Sequence, residues 1–215
     1  RVQSPAARGR LSGGGIMRTI GITGRSGCGK SQVTAFLRSQ GCFVADADLV
    51  ARQILMDGSP CIPQLTERFG ADILDEEGHL RRRLLADRAF KTAEGTKALS
   101  SITHPAIVAE LNRQGCQAEQ QGADLYFVDG AVIIGSPFEK ECNGFVVVTA
   151  PLEASVARIC ARDGIAPEMA RRRLDAQMPE QELLRWADYE IRNDGTIEQL
   201  KARTLQVLAA LRGDQ

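Results

Sequence analysis

Short apolar segments alternate along this chain with longer amphipathic stretches. The apolar segments are rich in β-branched and aromatic residues and are bounded by Gly, Asn or Asp, a pattern typical of buried β-strands. The stretches between them place apolar residues three and four positions apart, as helices do. Strands that alternate with helices predict an α/β fold, in which a parallel sheet carries helices on both faces. The predicted strands lie at 20–23, 42–45, 125–128, 145–149 and 189–192.

One long region interrupts this alternation. Residues from about 55 to 118 have a helical pattern broken only by glycine-containing turns, and His104-Pro105 is predicted to begin a new helix within it. We interpret this region as an inserted helical lobe that binds a second substrate. The chain from 17 to 215 is then one domain, with its core at about 17–54, 119–157 and 181–215 and a lid at about 158–180.

The first sixteen residues are set apart by composition. Residues 1–16 are rich in Arg, Gly and Ser and contain no apolar run, which argues against a secretory signal. We expect this segment to be a disordered N-terminal extension and Met17 to be the natural start.

Bulk composition narrows the classes of partner. The chain has 27 basic and 27 acidic residues, so its formal net charge is zero and nothing favours a nucleic-acid partner. No apolar run approaches the ~20 residues of a membrane-spanning helix. The six cysteines form no C-x-x-C pair, and with only two histidines this disfavours both a zinc site and a disulfide framework. We therefore expect a cytoplasmic protein without a nucleic-acid or membrane partner.

The strongest local motif follows the first predicted strand. The segment "GITGRSGCGKS" at 21–31 satisfies the P-loop pattern G-x-x-x-x-G-K-[ST] between a strand and a helix. The backbone N–H groups of such a loop bind phosphate, while Lys30 reaches the β- and γ-phosphates and the Ser31 hydroxyl ligates Mg²⁺. The sequence therefore predicts a site for a nucleoside triphosphate. Its expected contacts are Gly24, Ser26, Gly27, Cys28, Gly29, Lys30, Ser31 and Gln32.

A P-loop is shared by kinases, GTPases, ATPase motors and nucleotide switches. The chain contains no Asn-Lys-x-Asp motif to read guanine, and "VDGA" at 128–131 lacks the second acidic residue that a motor ATPase carries. A small kinase with a P-loop kinase fold fits best. Two alternatives stay open: a nucleoside or nucleotide kinase of similar build, and a switch that binds nucleotide without phosphorylating a small molecule.

Several motifs together resemble the dephospho-CoA kinase family. The family loop "GLTGGIGSGKS" is similar to the loop at 21–31, and its D-A-D-x-x-A-R block is similar to "VADADLVARQ" at 44–53. The resemblance continues through "EGHLRRRLLADRAF" at 77–90, the His104-Pro105 pair, a flap that ends at Gln177 and "ADYEIRNDG" at 187–195. Three positions depart from the family pattern: Ala131, Gly135 and Leu183.

The resemblance implies a reaction and a set of roles. The enzyme would use ATP and Mg²⁺ to phosphorylate the ribose 3′-hydroxyl of dephospho-CoA, giving coenzyme A and ADP, as a monomer or weak homo-oligomer. Asp48 is expected to be the general base, a role that suits a carboxylate within reach of the acceptor hydroxyl. The other implied residues are Lys30 and Arg158 for catalysis, Arg162 and Asn193 for the nucleotide, Arg52, Arg82 and His104 for the acceptor, and Asp46 beside Ser31 for the metal.

Each of these roles has a plainer structural alternative. Asp48 would also serve as a helix N-cap. The arginines would also serve in surface salt bridges, with Arg173 as a third member of the lid group. His104 would also be a packed residue at a helix start, and Asn193 part of an ordinary turn.

Overall fold

The computed structural model describes residues 17–131 and 133–213. The expectation of disorder for 1–16 lies outside these residues. In the described part, the strands are β1 (Arg18–Thr23), β2 (Phe43–Asp46), β3 (Leu125–Asp129), β4 (Gly144–Thr149) and β5 (Tyr189–Arg192). The α-helices are α1 (Lys30–Ser39), α2 (Ala47–Gln53), α3 (Cys61–Phe69), α4 (Arg82–Ala89), α5 (Ala93–Gln120), α6 (Leu152–Asp163), α7 (Pro167–Asp175), α8 (Glu180–Trp186) and α9 (Ile197–Gly213).

The five strands form one sheet in the order β2-β3-β1-β4-β5. β1 pairs in parallel with β3 and β4, and β4 pairs in parallel with β5. Every residue of β3 and β4 is buried, which explains why both strands read as continuous apolar runs rather than alternating ones. The predicted α/β fold with a parallel sheet is therefore confirmed.

The chain divides into two compact units. The first comprises the described residues of Arg1–Ala45 and Gly115–Gln215, and the second is Asp46–Gln114. In the first unit, Ile20, Phe127 and Val146 of the sheet pack with Leu37 of α1 and Leu208 of α9. The second unit has its own core, built around Cys61, Leu65, Phe69, Ile73, Leu85 and Ala89. The functional division into core, lobe and lid stays a prediction.

The prediction that a helix begins at His104-Pro105 is wrong. Pro105 lies inside α5, which runs without a break from Ala93 to Gln120. Ala98 and Ile102 before the proline and Ala106 after it pack against the same apolar core of the second unit. Packing on both sides of Pro105 thus holds one helix across a residue that ordinarily breaks or kinks it.

Helices α6 and α7 pack together within the first unit. Val156 and Ile159 of α6 bury their side chains against Ala170 and Leu174 of α7. Their apolar contact fixes α7, the middle of the predicted lid. Among the described helices, none has the length and hydropathy that a membrane crossing requires.

Candidate functional site

The P-loop motif forms the connection between β1 and α1. Gly27 and Gly29 have φ angles of 76° and 95°, and Gly29 directly precedes the first residue of α1. A Cβ on Gly27 would lie 2.5 Å from the backbone oxygen of Ser155 in α6. Both the positive φ angles and this close approach require glycine, so the loop folds tightly for local steric reasons.

Side chains from two other elements hold the backbone carbonyls of this loop. Arg158 of α6 donates from Nη1 to the carbonyl of Gly27 at 3.1 Å. Asn193, which is buried just after β5, donates from Nδ2 to the carbonyl of Cys28 at 2.8 Å. With these carbonyls satisfied, the N–H groups of Gly27 and Gly29 donate to no described residue. Free N–H groups beside a helix N-terminus are the features that bind phosphate.

Lys30 pairs with an acidic residue from the neighbouring strand. Its Nζ contacts Oδ1 of Asp129, the last residue of β3, and the two side chains are 18% and 10% exposed. β3 lies next to β1 in the sheet, so Asp129 ends beside the start of the loop. Asp129 directly follows the predicted strand at 125–128, but the sequence alone assigned it no role. The sequence feature that could have indicated a role is that Asp129 is the one charged residue at the end of an otherwise apolar strand.

The other loop residues present different groups. Cys28 is 2% exposed, and burial raises the pKa of its thiol, so its side chain is a neutral part of the core. Any contact of Cys28 with phosphate would therefore come from its backbone. Ser31 and Gln32, in contrast, lie exposed in the first turn of α1. The Ser31 hydroxyl is thus placed where a ligand can reach it.

Two predicted lid arginines share one carboxylate. Arg162 donates from Nε to Oδ1 of Asp163 at 2.7 Å, and Arg173 pairs with the other oxygen of the same group. The hydrogen bond from Arg162, with that from Arg173, lowers the pKa of Asp163 to about 2. In this structure Arg158 contacts the phosphate loop, whereas Arg162 and Arg173 are held in surface ion pairs.

The two acids at the end of β2, Asp46 and Asp48, have different surroundings. Asp46 is the N-cap of α2, and its Oδ1 accepts from the N–H of Leu49 at 2.8 Å. Asp48 is half-buried in the first turn of the same helix, and no described residue hydrogen-bonds to its carboxylate. The alternative role of helix N-cap therefore belongs to Asp46. Asp48 keeps its carboxylate oxygens available.

The predicted acceptor residues all lie in the second unit. Arg82, at the start of α4, donates from Nη2 to the carbonyl of Arg52 in α2 at 3.3 Å, and both side chains are exposed. His104 is half-buried inside α5 and hydrogen-bonds to none of the described residues. The structure thus brings Arg52 and Arg82 together. The roles of all three toward an acceptor stay predictions.

The two side chains predicted to serve the metal, Ser31 and Asp46, can be compared with what Mg²⁺ requires of its ligands. Within 17–131 and 133–213 no three His, Cys, Asp or Glu side chains form a cluster able to hold a metal. Mg²⁺ is ordinarily bound by one or two protein oxygens together with substrate phosphates and water. Ser31 and Asp46 each carry a hard oxygen donor of this kind, so each side chain is by its own chemistry suited to Mg²⁺.

We expect Gly29→Ala to disrupt both stability and ATP binding. Alanine at this position would adopt an unfavourable left-handed conformation, and its Cβ would collide with the Asn193 amide that holds Cys28. Gly122→Ala is the matched control, because Gly122 also has a positive φ but open space around it. Gly122→Ala should lose about 1–2 kcal/mol of unfolding free energy from the left-handed conformation alone, and Gly29→Ala should lose more because its Cβ also displaces the Asn193 amide. Only Gly29→Ala should also bind ATP at least about tenfold more weakly. Urea unfolding and ATP titration test this, and wild-type ATP affinity in Gly29→Ala would contradict it.

The family model and the curated relatives both match this chain to dephospho-CoA kinases. The family model for dephospho-CoA kinase matches residues 18–199. The dephospho-CoA kinase of Corynebacterium glutamicum is 38% identical over 195 residues, which cover 91% of this chain and 100% of that protein.

Solved structures are also similar to this chain. A crystal structure of a Thermus thermophilus protein is 34% identical, with a TM-score of 0.76, and the match covers 90% of this chain and 97% of that one. The dephospho-CoA kinase of Campylobacter jejuni is 27% identical, with a TM-score of 0.61 and coverage of 91% and 97%.

Proposed function

The chain belongs to the dephospho-CoA kinase family, and on this premise we propose that its phosphate loop and Asp48 transfer the γ-phosphate of ATP to the ribose 3′-hydroxyl of dephospho-CoA. The products are coenzyme A and ADP. The observation that carries the proposal is the loop itself: its carbonyls are held by Arg158 and Asn193 while N–H groups at Gly27 and Gly29 stay available. This is an anion site prepared before nucleotide arrives.

The loop and Lys30 bind the triphosphate. The N–H groups of Gly27 and Gly29 and the N-terminus of α1 hold the phosphate oxygens, and Lys30 neutralises charge that develops on the transferring group. Lys30 is kept at the edge of the sheet by Asp129, so its ammonium group is ordered in advance. Arg158 contributes positive charge from α6. The lid arginines Arg162 and Arg173 would release their ion pairs with Asp163 and bind phosphate oxygens instead.

Asp48 acts as the general base. The 3′-oxygen of the acceptor attacks the γ-phosphorus, the bond to the β,γ-bridging oxygen breaks, and ADP leaves with that oxygen. Asp48 accepts the proton that the hydroxyl loses. Two observations support this role: Asp48 is half-buried, and no described residue occupies its carboxylate. Arg52 and Arg82, joined through one hydrogen bond, would bind the acceptor's phosphates, and His104 would bind another part of it.

Magnesium would be held by the Ser31 hydroxyl and by Asp46 through water. When bound it supplies positive charge to the β- and γ-phosphate oxygens. We place the enzyme in the cytoplasm as a monomer or weak homo-oligomer without a nucleic-acid partner. The zero net charge supports the absence of a nucleic-acid partner, and six free cysteines support a reducing compartment.

A panel of acceptors tests the function against its two alternatives. We expect ADP release from ATP on addition of dephospho-CoA, but not on addition of nucleosides or nucleoside monophosphates. ATP without an acceptor is the control for hydrolysis. A response to nucleosides or nucleoside monophosphates alone would identify the similar kinase class. Nucleotide binding without turnover on any acceptor would indicate the switch.

A further inference from the structure

The last turn of α7 and the residues just after it form hydrogen bonds with two adjacent residues of the phosphate loop. The side-chain amide of Gln177 makes both of its hydrogen bonds to Ser26: Oε1 accepts from the backbone N–H at 2.9 Å, and Nε2 donates to the hydroxyl at 2.8 Å. Arg25 donates from its guanidinium to the carbonyl of Leu174, in the last turn of α7. Residues 25 and 26 of the loop are thus joined to a segment about 150 positions away along the chain, which is a tertiary contact rather than a local turn.

The anchor behind these contacts is rigid. Leu174 is 1% exposed and packs with Val156, Ile159 and Ala170, the apolar contact between α6 and α7. A side chain packed at this density has little room to shift. The α7 end of the contact is therefore held in place by the core.

The amide of Gln177 fixes more than one degree of freedom in the loop. Accepting from the N–H of Ser26 sets the orientation of the peptide plane before Ser26, and donating to its hydroxyl sets the side-chain rotamer. The next peptide group belongs to Gly27, whose N–H donates to no described residue and whose carbonyl is held by Arg158. Gln177 thus controls the geometry immediately before a group that we assign to phosphate binding.

These contacts differ from the direct nucleotide contact that was predicted for Ser26. Sequence reasoning placed Ser26 among the direct contacts of the nucleotide. Its N–H group donates to Gln177 and is not available to a phosphate in this structure, and its hydroxyl oxygen accepts from the same amide. Ser26 serves here as the point at which the loop is held.

We propose that Gln177 is a positioning residue for nucleotide binding, which sets the shape of the phosphate loop through Ser26 and couples that shape to α7. A loop that is already shaped loses less conformational entropy when phosphate binds, and affinity rises accordingly. The proposal rests on the proposed function only in requiring that the loop bind ATP. It adds a residue of the α7–α8 connection to the determinants of ATP affinity.

Gln177→Met keeps the length of the side chain and removes both hydrogen bonds. We expect the Kd for a non-hydrolysable ATP analogue and the KM for ATP to rise about tenfold, as the loss of two hydrogen bonds warrants. The KM for dephospho-CoA should stay at the wild-type value, and kcat should fall far less than the KM for ATP rises. Gln181→Met is the matched control, because Gln181 is exposed on α8 and hydrogen-bonds to none of the described loop residues. It should bind the analogue as wild type does.

Ser26→Ala is the second variant and removes only the hydroxyl contact. Its Kd for the analogue should rise about threefold, the loss of one hydrogen bond. In the double variant with Gln177→Met, the Kd should match that of Gln177→Met alone, because the hydroxyl then has no amide to contact. The proposal is overturned by wild-type affinity in Gln177→Met or by losses that multiply in the double variant. If Gln177→Met does not fold, unchanged affinity in Ser26→Ala is sufficient to overturn it. Failure of the wild-type enzyme to phosphorylate dephospho-CoA would instead contradict the proposed function and leave these binding measurements valid.

Discussion

Lys30→Ala should lose turnover by about 10²–10³-fold, the typical effect of removing one group that stabilises transition-state charge. Lys30 is the first residue of α1, at the end of the phosphate loop, and its ammonium group lies next to the carboxylate of Asp129. Alanine removes the only lysine of the loop motif, and the remaining N–H groups bind phosphate without neutralising the charge that moves to ADP. Steady-state turnover with ATP and dephospho-CoA measures the loss.

The Lys30–Asp129 pair also predicts a stability effect, which a control separates from catalysis. Asp129 is 10% exposed, so alanine at position 30 would leave a buried carboxylate without its cation. We expect the melting temperature of Lys30→Ala to fall and that of Lys30→Ala/Asp129→Asn to recover. Turnover should stay low in both. Recovered turnover in the double variant would mean that Lys30 acts through stability alone and would contradict its role with phosphate.

The parts of this molecule that local sequence determines were predictable. β3 and β4 appear as short apolar runs because every residue of each is buried, as with the three consecutive valines of β4. The phosphate loop was predictable because its glycines are needed at positive φ within a few residues of Lys30. Family resemblance added the reaction, which spacing alone left open among kinases and switches.

Contacts between distant residues were not predictable from a single sequence. Lys30 and Asp129 are 99 positions apart, and Ser26 and Gln177 are 151 positions apart. The flap motif of the family resemblance includes Gln177, but nothing in that motif indicates that its side chain contacts Ser26. Pro105 failed as a helix signal for the same reason, since packing on both sides of it outweighed its local preference. The sequence also could not tell which of the neighbouring acids Asp46 and Asp48 is the helix N-cap. The structure shows that Asp46 caps α2.

Asp48→Asn should lower kcat by about 10²–10⁴-fold, the usual contribution of a general base. Asparagine keeps the shape of the side chain but cannot accept the proton of the 3′-hydroxyl. ATP affinity should change little, because Lys30, Ser31 and the loop N–H groups are intact. Stability should also be nearly unchanged, since no described residue hydrogen-bonds to the carboxylate of Asp48.

Asp46→Asn is the matched control two residues away. Asn caps a helix nearly as well as Asp, so α2 should remain intact. If Asp46 serves the metal, this variant should require a higher Mg²⁺ concentration for half-maximal activity and should retain kcat when Mg²⁺ is saturating. Near-normal kcat in Asp48→Asn would end its assignment as base. A collapse of kcat confined to Asp46→Asn would move that role to Asp46.

The central claim is that this site places phosphate on the ribose 3′-hydroxyl of dephospho-CoA. The most direct test is phosphorus NMR of the product formed by the wild-type enzyme from ATP and dephospho-CoA, with Lys30→Ala as the inactive reference. We predict one new 3′-phosphomonoester for each ADP released. Free inorganic phosphate in place of that ester, or a phosphate at another position of the acceptor, would contradict the account.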